Sequence, residues 1–203
     1  SDYLSLTPTA SLTLDADFTI EFWVYYSSLD TAERIPVNCW NTGAGWLINT
    51  QTSAWNFKGP SSFVITYSAV APAAGQWYHI AVVKNSGSTK MYVNGTANAT
   101  TYTDANDYGT SSQLSIGTVG DSPGYTGTWM NGYISDIRVV VGSAVYTGNF
   151  TPTTTPLTAI ANTTLLLNGK SSGVLDYTGQ HALITSGNTR VSTTQEKFGN
   201  RSL

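Results

Sequence analysis

His79 is the first residue whose type invites a chemical reading. It lies in "QWYHIAVVKNSGSTKMYVNG" (76–95) with Trp77 and Lys84, and an imidazole there could act as a base near neutral pH if a carboxylate oriented it. Its sequence neighbours are apolar, and none supplies that carboxylate. No G-x-S-x-G phrase places a nucleophile beside His79 or His181. The expectation is a neutral, hydrogen-bonded strand histidine with Trp77 as core mass. Glutamates occur only as Glu21, Glu33 and Glu196, and Asp136 stands two residues before Arg138. That spacing predicts a structural ion pair on one strand face.

Two further sets of side chains could bind ligands. In "TDANDYG" (103–109), Asp104, Asn106 and Asp107 offer hard oxygens that suit Ca2+, with Asp121 on a nearby loop as a fourth donor. The spacing is not that of an EF-hand, and the same residues are good turn formers. Rings that stack on sugars need exposure. Trp23 and Tyr25 share a strand face with Glu21, while Trp46, Trp55, Tyr125 and Trp129 adjoin Gly or Ser. These six rings fit either a carbohydrate-binding surface or a second packed surface against a neighbouring subunit, and both uses stay open. Asn94, Asn98, Asn149, Asn162 and Asn200 each satisfy N-x-S/T and are the glycosylation candidates.

The elements that must position these residues are strands. Charged residues make up only 10% of the 203 residues against 40% hydrophobic ones, so Ser, Thr, Asn and Gly keep the surface polar. Nine Lys and Arg against twelve Asp and Glu give a net charge of −3, which leaves no basic patch for nucleic acid. A lone Cys39 excludes an internal disulfide framework and reads as a buried, inert thiol. No apolar run is long enough for membrane insertion. The chain lacks an initiator Met and a leader, as a mature product or excised segment would.

"DFTIEFWVYY" (17–26) alternates, with Phe18, Ile20, Phe22 and Val24 on one face and Thr19, Glu21, Trp23 and Tyr25 on the other. Strands are also predicted at 34–40, 45–50, 55–57, 62–68, 113–119, 132–142 and 163–169. The opening phrase is a hairpin: "NSGS" (85–88) turns the chain, and Asn94-Gly95 supplies positive φ for a second tight turn. Residues 147–162, rich in Thr and Pro, suit an extended connector crossing the outside. Many short strands separated by turn residues predict an all-β, two-sheet antiparallel jelly-roll sandwich.

"FTIEFWV", "GQWYHIAVVKNSGSTKMYVNG" and "GYISDIRVVVGSAVYTGNFTPTTTPL", in that order, resemble the laminin G-like, concanavalin A-like jelly-roll superfamily. The nearest likeness is to repeats of phage tail proteins and environmental bacterial surface proteins. The resemblance implies a fold that hosts lectins, glycan hydrolases, adhesion modules and scaffolds. Hydrolases of the superfamily carry two Glu and one Asp alternating along one strand, and no strand here does so. A non-enzyme is therefore expected. Calcium bound at loops on one edge of the sandwich is a further property that some relatives imply.

In that family a repeat opens with a phrase like "DYTGQHALITSGNTRVSTTQEKFGNRSL", which here closes the chain at 176–203. The expected organisation is a sandwich over 1–168 and a C-terminal strand segment over 169–203. Leu183, Ile184, Val191, Phe198 and Leu203 are its assembly residues. That segment could fold back into its own sandwich, mark one period of a tandem array, or fill the open edge of a neighbouring copy. The leading expectation is a structural subunit of an extracellular fibre, on a cell surface or a virion, with copies of itself as partners. The alternative is a carbohydrate-binding adhesion module whose partners are cell-surface glycans.

Overall fold

The computed structural model describes residues 2–41, 44–109, 113–119, 127–169, 173–199 and 201–203. Its strands are β1 (Tyr3–Leu6), β2 (Phe18–Tyr26), β3 (Arg34–Asn41), β4 (Ala44–Gln51), β5 (Ala54–Lys58), β6 (Val64–Tyr67) and β7 (Trp77–Asn85). They continue as β8 (Ser88–Val93), β9 (Thr96–Ala97), β10 (Tyr102–Thr103), β11 (Leu114–Ile116), β12 (Gly132–Val141), β13 (Thr163–Leu167) and β14 (Ile184–Ser186). The first sheet has the order β14-β1-β11-β3-β4-β5-β6. The second has the order β10-β8-β7-β2-β12-β13, with β9 beside β8. Every named strand pairing is antiparallel. The predicted sandwich is the observed one.

Alternation explains why the sheets stack. The inner face of β2 buries Phe18, Ile20, Phe22 and Val24 against Trp46, Ile48, Trp55 and Phe57 of the first sheet. Cys39 lies in the same core. Pro36 is accommodated inside β3 by a bulge, because the β3–β4 register shifts between Arg34 and Val37. The two hairpin turns form as expected, with φ of 49° and 75° at Ser86-Gly87 and 50° and 79° at Asn94-Gly95.

The connector crosses the outer face of the second sheet, and Gly95 anchors it. Phe150 N–H donates to the Gly95 carbonyl at 2.9 Å, and a Cβ on Gly95 would stand 1.9 Å from the Phe150 carbonyl oxygen. Asn149 Oδ1 accepts the Ala97 N–H. Tyr146 and Phe150 then pack on Ala81, Val83 and Tyr92, forming a satellite apolar cluster outside the sheet.

Described residues of the C-terminal segment pair with both sheets of the same chain. β14 adds to β1 through Tyr3↔Ser186, Leu4↔Thr185 and Ser5↔Ile184. Leu203 exchanges two backbone hydrogen bonds with Ile134, which extends the second sheet beside β12. Leu183 and Leu203 pack against the core, Val191 is half-buried, and Ile184 points outward at 59% exposure. The outer side of β1 is thus paired within the chain, and β14 becomes the end strand of the first sheet.

Candidate functional site

The outer face of the second sheet is laid out in transverse rows. Register places Tyr133, Tyr25 and Trp77 side by side, then Ser135, Trp23 and His79, then Arg138, Glu21 and Ala81. Opposed residues of antiparallel strands point to one face. The connector and the C-terminal segment cover the second and third rows and leave the first half-exposed.

Beneath that cover is a buried polar cluster. Glu21, fully buried, accepts from Arg138 Nε at 2.8 Å and Nη2 at 2.5 Å. It also accepts from Tyr146 Oη at 2.8 Å and faces His79 Nε2 at 3.1 Å. Burial, the largest influence, pushes its carboxyl up. The His79 hydrogen bond, the Arg138 charge and the Tyr146 hydroxyl outweigh that and hold it below the ordinary carboxylate range. Arg138 Nη1 reaches on to the Thr158 carbonyl, so the cluster ties the connector to the sheet. Two sequence expectations are corrected here. His79 does have a carboxylate partner, brought by β2 from 58 residues away. Arg138 pairs with Glu21 rather than Asp136, because a bulge between Ser135 and Arg138 puts Asp136 at φ 55°. Asp136 turns instead to the Leu157 N–H at 2.9 Å.

The half-exposed row is a continuous aromatic strip. Tyr25 lies 5.6 Å from Trp77 and 6.0 Å from Tyr133, centroid to centroid. Tyr133 also lines a cleft of about 520 Å³ at that end of the sandwich. Asp2, Asn131, Asn188 and Arg190 line the cleft as well, so a ring is joined there by amide, carboxylate and guanidinium groups. Such pairing of an apolar face with hydrogen-bonding groups of both senses suits a polyhydroxylated ligand.

The other candidate rings divide sharply. Trp46 and Trp55 are core residues at 2% and 0% exposure, so the expectation of surface stacking is overturned for both. Nearby Gly and Ser had suggested loops or strand ends, but alternation turns both side chains inward. Trp23 is also buried, roofed by Phe198 at 5.8 Å and by Lys197 Nζ at 3.7 Å from its ring. Trp129 is 49% exposed, one residue before the cleft-lining Met130. Tyr125 lies outside the described residues. Trp77 and Tyr133 were not foreseen as site residues. The signal available was the cross-strand pairing of β2 with β7 and β12, which puts both beside Tyr25.

Asp104 is committed to the fold. One carboxylate oxygen accepts from Thr89 Oγ1 and Tyr108 Oη, and the other accepts from the backbone and side-chain nitrogens of Asn106. With those acceptor sites occupied, Asp104 and Asn106 form a turn rather than a metal cradle. Asp107 is exposed, and Asp121 lies outside the described residues. No group of three or more His, Cys, Asp or Glu that could hold a metal occurs among the described residues.

The five sequons are equally unequal. Asn98 is buried, its Nδ2 donates to the Thr100 carbonyl and its Oδ1 accepts from Met91 N–H, so its amide is inaccessible in the folded chain. Asn94 and Asn149 are exposed and engage only their oxygens, with His79 N–H and Ala97 N–H respectively. Asn162 donates to Ser143, and Asn200 lies outside the described residues.

His181 carries a second buried pair, with Nδ1 at 2.9 Å from Asp176 Oδ2 and Nε2 at 3.2 Å from Thr9 Oγ1. Burial pushes the Asp176 carboxyl up, but hydrogen bonds from Thr178, Leu166 and His181 outweigh it and leave the pKa lowered. The order of groups resembles a hydrolytic relay. None of these residues lines the cleft, and the contacts fasten the C-terminal segment to the N-terminal one. Among the described residues no helix is long and apolar enough to cross a membrane.

Comparison with known proteins places the fold. No curated protein sequence matches the chain. Among solved structures, a Bacteroides ovatus protein named "putative carbohydrate binding protein" is 17% identical with a TM-score of 0.67, covering 92% of this chain and 56% of that one. The chain thus spans little more than half the length of that relative. A heptameric SAP-like pentraxin of Limulus polyphemus is 16% identical with a TM-score of 0.53, covering 71% of each chain. The botulinum neurotoxin serotype G binding domain is 15% identical with a TM-score of 0.51, covering 70% of this chain and 37% of that one. At such identities the likeness speaks for the fold alone. A family model matches residues 1–142, most of the sandwich, and the chain belongs to the concanavalin A-like lectin/glucanases superfamily.

Proposed function

We propose that the chain is a non-catalytic carbohydrate-binding module acting at an extracellular or virion surface. The observation that carries this reading is the half-exposed strip of Tyr133, Tyr25 and Trp77, whose Tyr133 end lines a polar cleft. Aromatic faces take the C–H side of a pyranose, while Asn131, Asn188, Asp2 and Arg190 answer its hydroxyls. The name borne by the Bacteroides ovatus relative agrees with it. The fibre-subunit reading depended on an edge left open for a neighbour, and the chain's own C-terminal segment pairs with the outer side of β1. Recognition is therefore the stronger reading.

A glycan array followed by calorimetric titration tests the proposal. Tyr25→Ala and Trp77→Ala are expected to weaken binding of the selected glycan about tenfold or more each, or about 1.4 kcal/mol, with thermal stability monitored in parallel. An array without hits, or hits unaffected by both substitutions, would overturn it.

A further inference from the structure

The opposite outer face, that of the first sheet, carries a cluster that sugar binding does not use. Asn49 on β4 is fully buried and its Oδ1 has no hydrogen-bond partner. Its Nδ2 donates to Glu33 Oε1, and Lys58 Nζ on β5 reaches the same oxygen at 2.6 Å. An amine and a carboxamide thus converge on one carboxylate oxygen.

The fold arranges this convergence. Leu47 stands opposite Lys58 and Asn49 opposite Asn56, which makes Lys58 and Asn49 diagonal neighbours on adjacent strands. Diagonal neighbours are about 7–8 Å apart, within reach of a long side chain. The β3 bulge lies across from Asn49, between the Arg34 and Val37 pairings, and Glu33 comes in just before β3. Ile35 and Leu47 flank the cluster as part of an apolar group with Val119. Glu33 and Lys58 keep side-chain exposures of 17% and 28%.

We propose that Lys58 and Asn49 form an intramolecular isopeptide cross-link, with Glu33 as the proton carrier. Glu33 takes a proton from the Lys58 ammonium and frees the amine lone pair. The amide of Asn49 turns so that its unpartnered Oδ1 accepts a hydrogen bond from the now neutral Glu33 acid, which polarises Cγ. Lys58 Nζ adds to Cγ, and the tetrahedral intermediate collapses with loss of Nδ2. Glu33 relays the proton from the former amine to that nitrogen. Lysine ammonium and carboxamide become a secondary amide and an ammonium ion, so atoms and charge balance without oxidant or cofactor. Holding both groups against one acid–base residue replaces a bimolecular encounter, a gain of several orders of magnitude in rate. The product bridges β4 and β5 within one sheet.

Intact-mass spectrometry of the full 203-residue chain, purified folded and then denatured, tests this directly. The expected mass is that of the sequence less one ammonia, and proteolysis should yield one branched peptide joining Lys58 to Asn49. Lys58→Arg and Glu33→Gln should each restore the full mass, with circular dichroism reporting that they remain folded. A full-mass native chain after prolonged incubation overturns the proposal. So does an ammonia loss that persists in Lys58→Arg or maps to succinimide at another asparagine.

Discussion

Replacing Arg138 with Met would test whether the buried cluster holds the connector in place. Glu21 accepts four contacts and two of them come from Arg138. After the change Tyr146 and His79 alone would face a carboxylate with no solvent access. Breaking a buried pair from one side costs about 3–5 kcal/mol, because the remaining charge is left uncompensated. For a domain of this size each kcal/mol shifts Tm by about 2–4 °C, so a fall of about 10 °C is expected. Glu21→Gln added to Arg138→Met should recover most of the loss, since the orphaned charge is gone. The pH response has a definite sign. The Glu21 pKa is lowered in the folded protein, so its contribution is present above the unfolded carboxylate pKa and disappears as pH falls through the folded value. In Arg138→Met the Arg138 contribution to that lowering is lost while those of His79 and Tyr146 stay, and protonation of Glu21 should relieve the buried charge more readily. The deficit against the parent should therefore narrow on acidification. Urea unfolding across pH, on both single variants and the double, provides the measurement. A deficit below about 1 kcal/mol, unchanged by pH and not rescued in the double variant, would refute the reasoning.

Two other outcomes follow from backbone and burial. Gly87 and Gly95 have nearly the same φ, 75° and 79°, but only Gly95 meets a neighbour, the Phe150 carbonyl. Gly87→Ala should cost about 1 kcal/mol from φ alone, while Gly95→Ala should cost at least twice that and expose Tyr146 to solvent, read by chemical denaturation and tyrosine fluorescence. Expressed in a glycosylating secretory host, folded chain should carry no glycan at Asn98, whose amide is buried and doubly bonded. Glycopeptide mapping that finds Asn98 occupied at high level would contradict that packing.

Much of the fold was legible in local pattern. The strict alternation of 17–26 assigned both faces of β2, and the glycines of 85–95 marked the hairpin turns, because side-chain period and positive φ are local properties. Short strands β1, β9 and β10 escaped notice, since two to four residues carry too little periodicity. The site was harder. Trp46 and Trp55 looked exposed by their neighbours yet face inward, whereas Trp77, read as core mass, is half-exposed.

Composition and alternation alone determined an antiparallel sandwich whose polar surface relies on uncharged groups. Which residues meet across strands was decided only by tertiary structure. Glu21 finds Arg138 after 117 residues, Glu33 gathers Asn49 and Lys58, and Tyr25 acquires Trp77 and Tyr133 as flanking rings. Register and the bulges in β3 and β12 make those choices, and a one-residue shift in register would send each side chain to the opposite face.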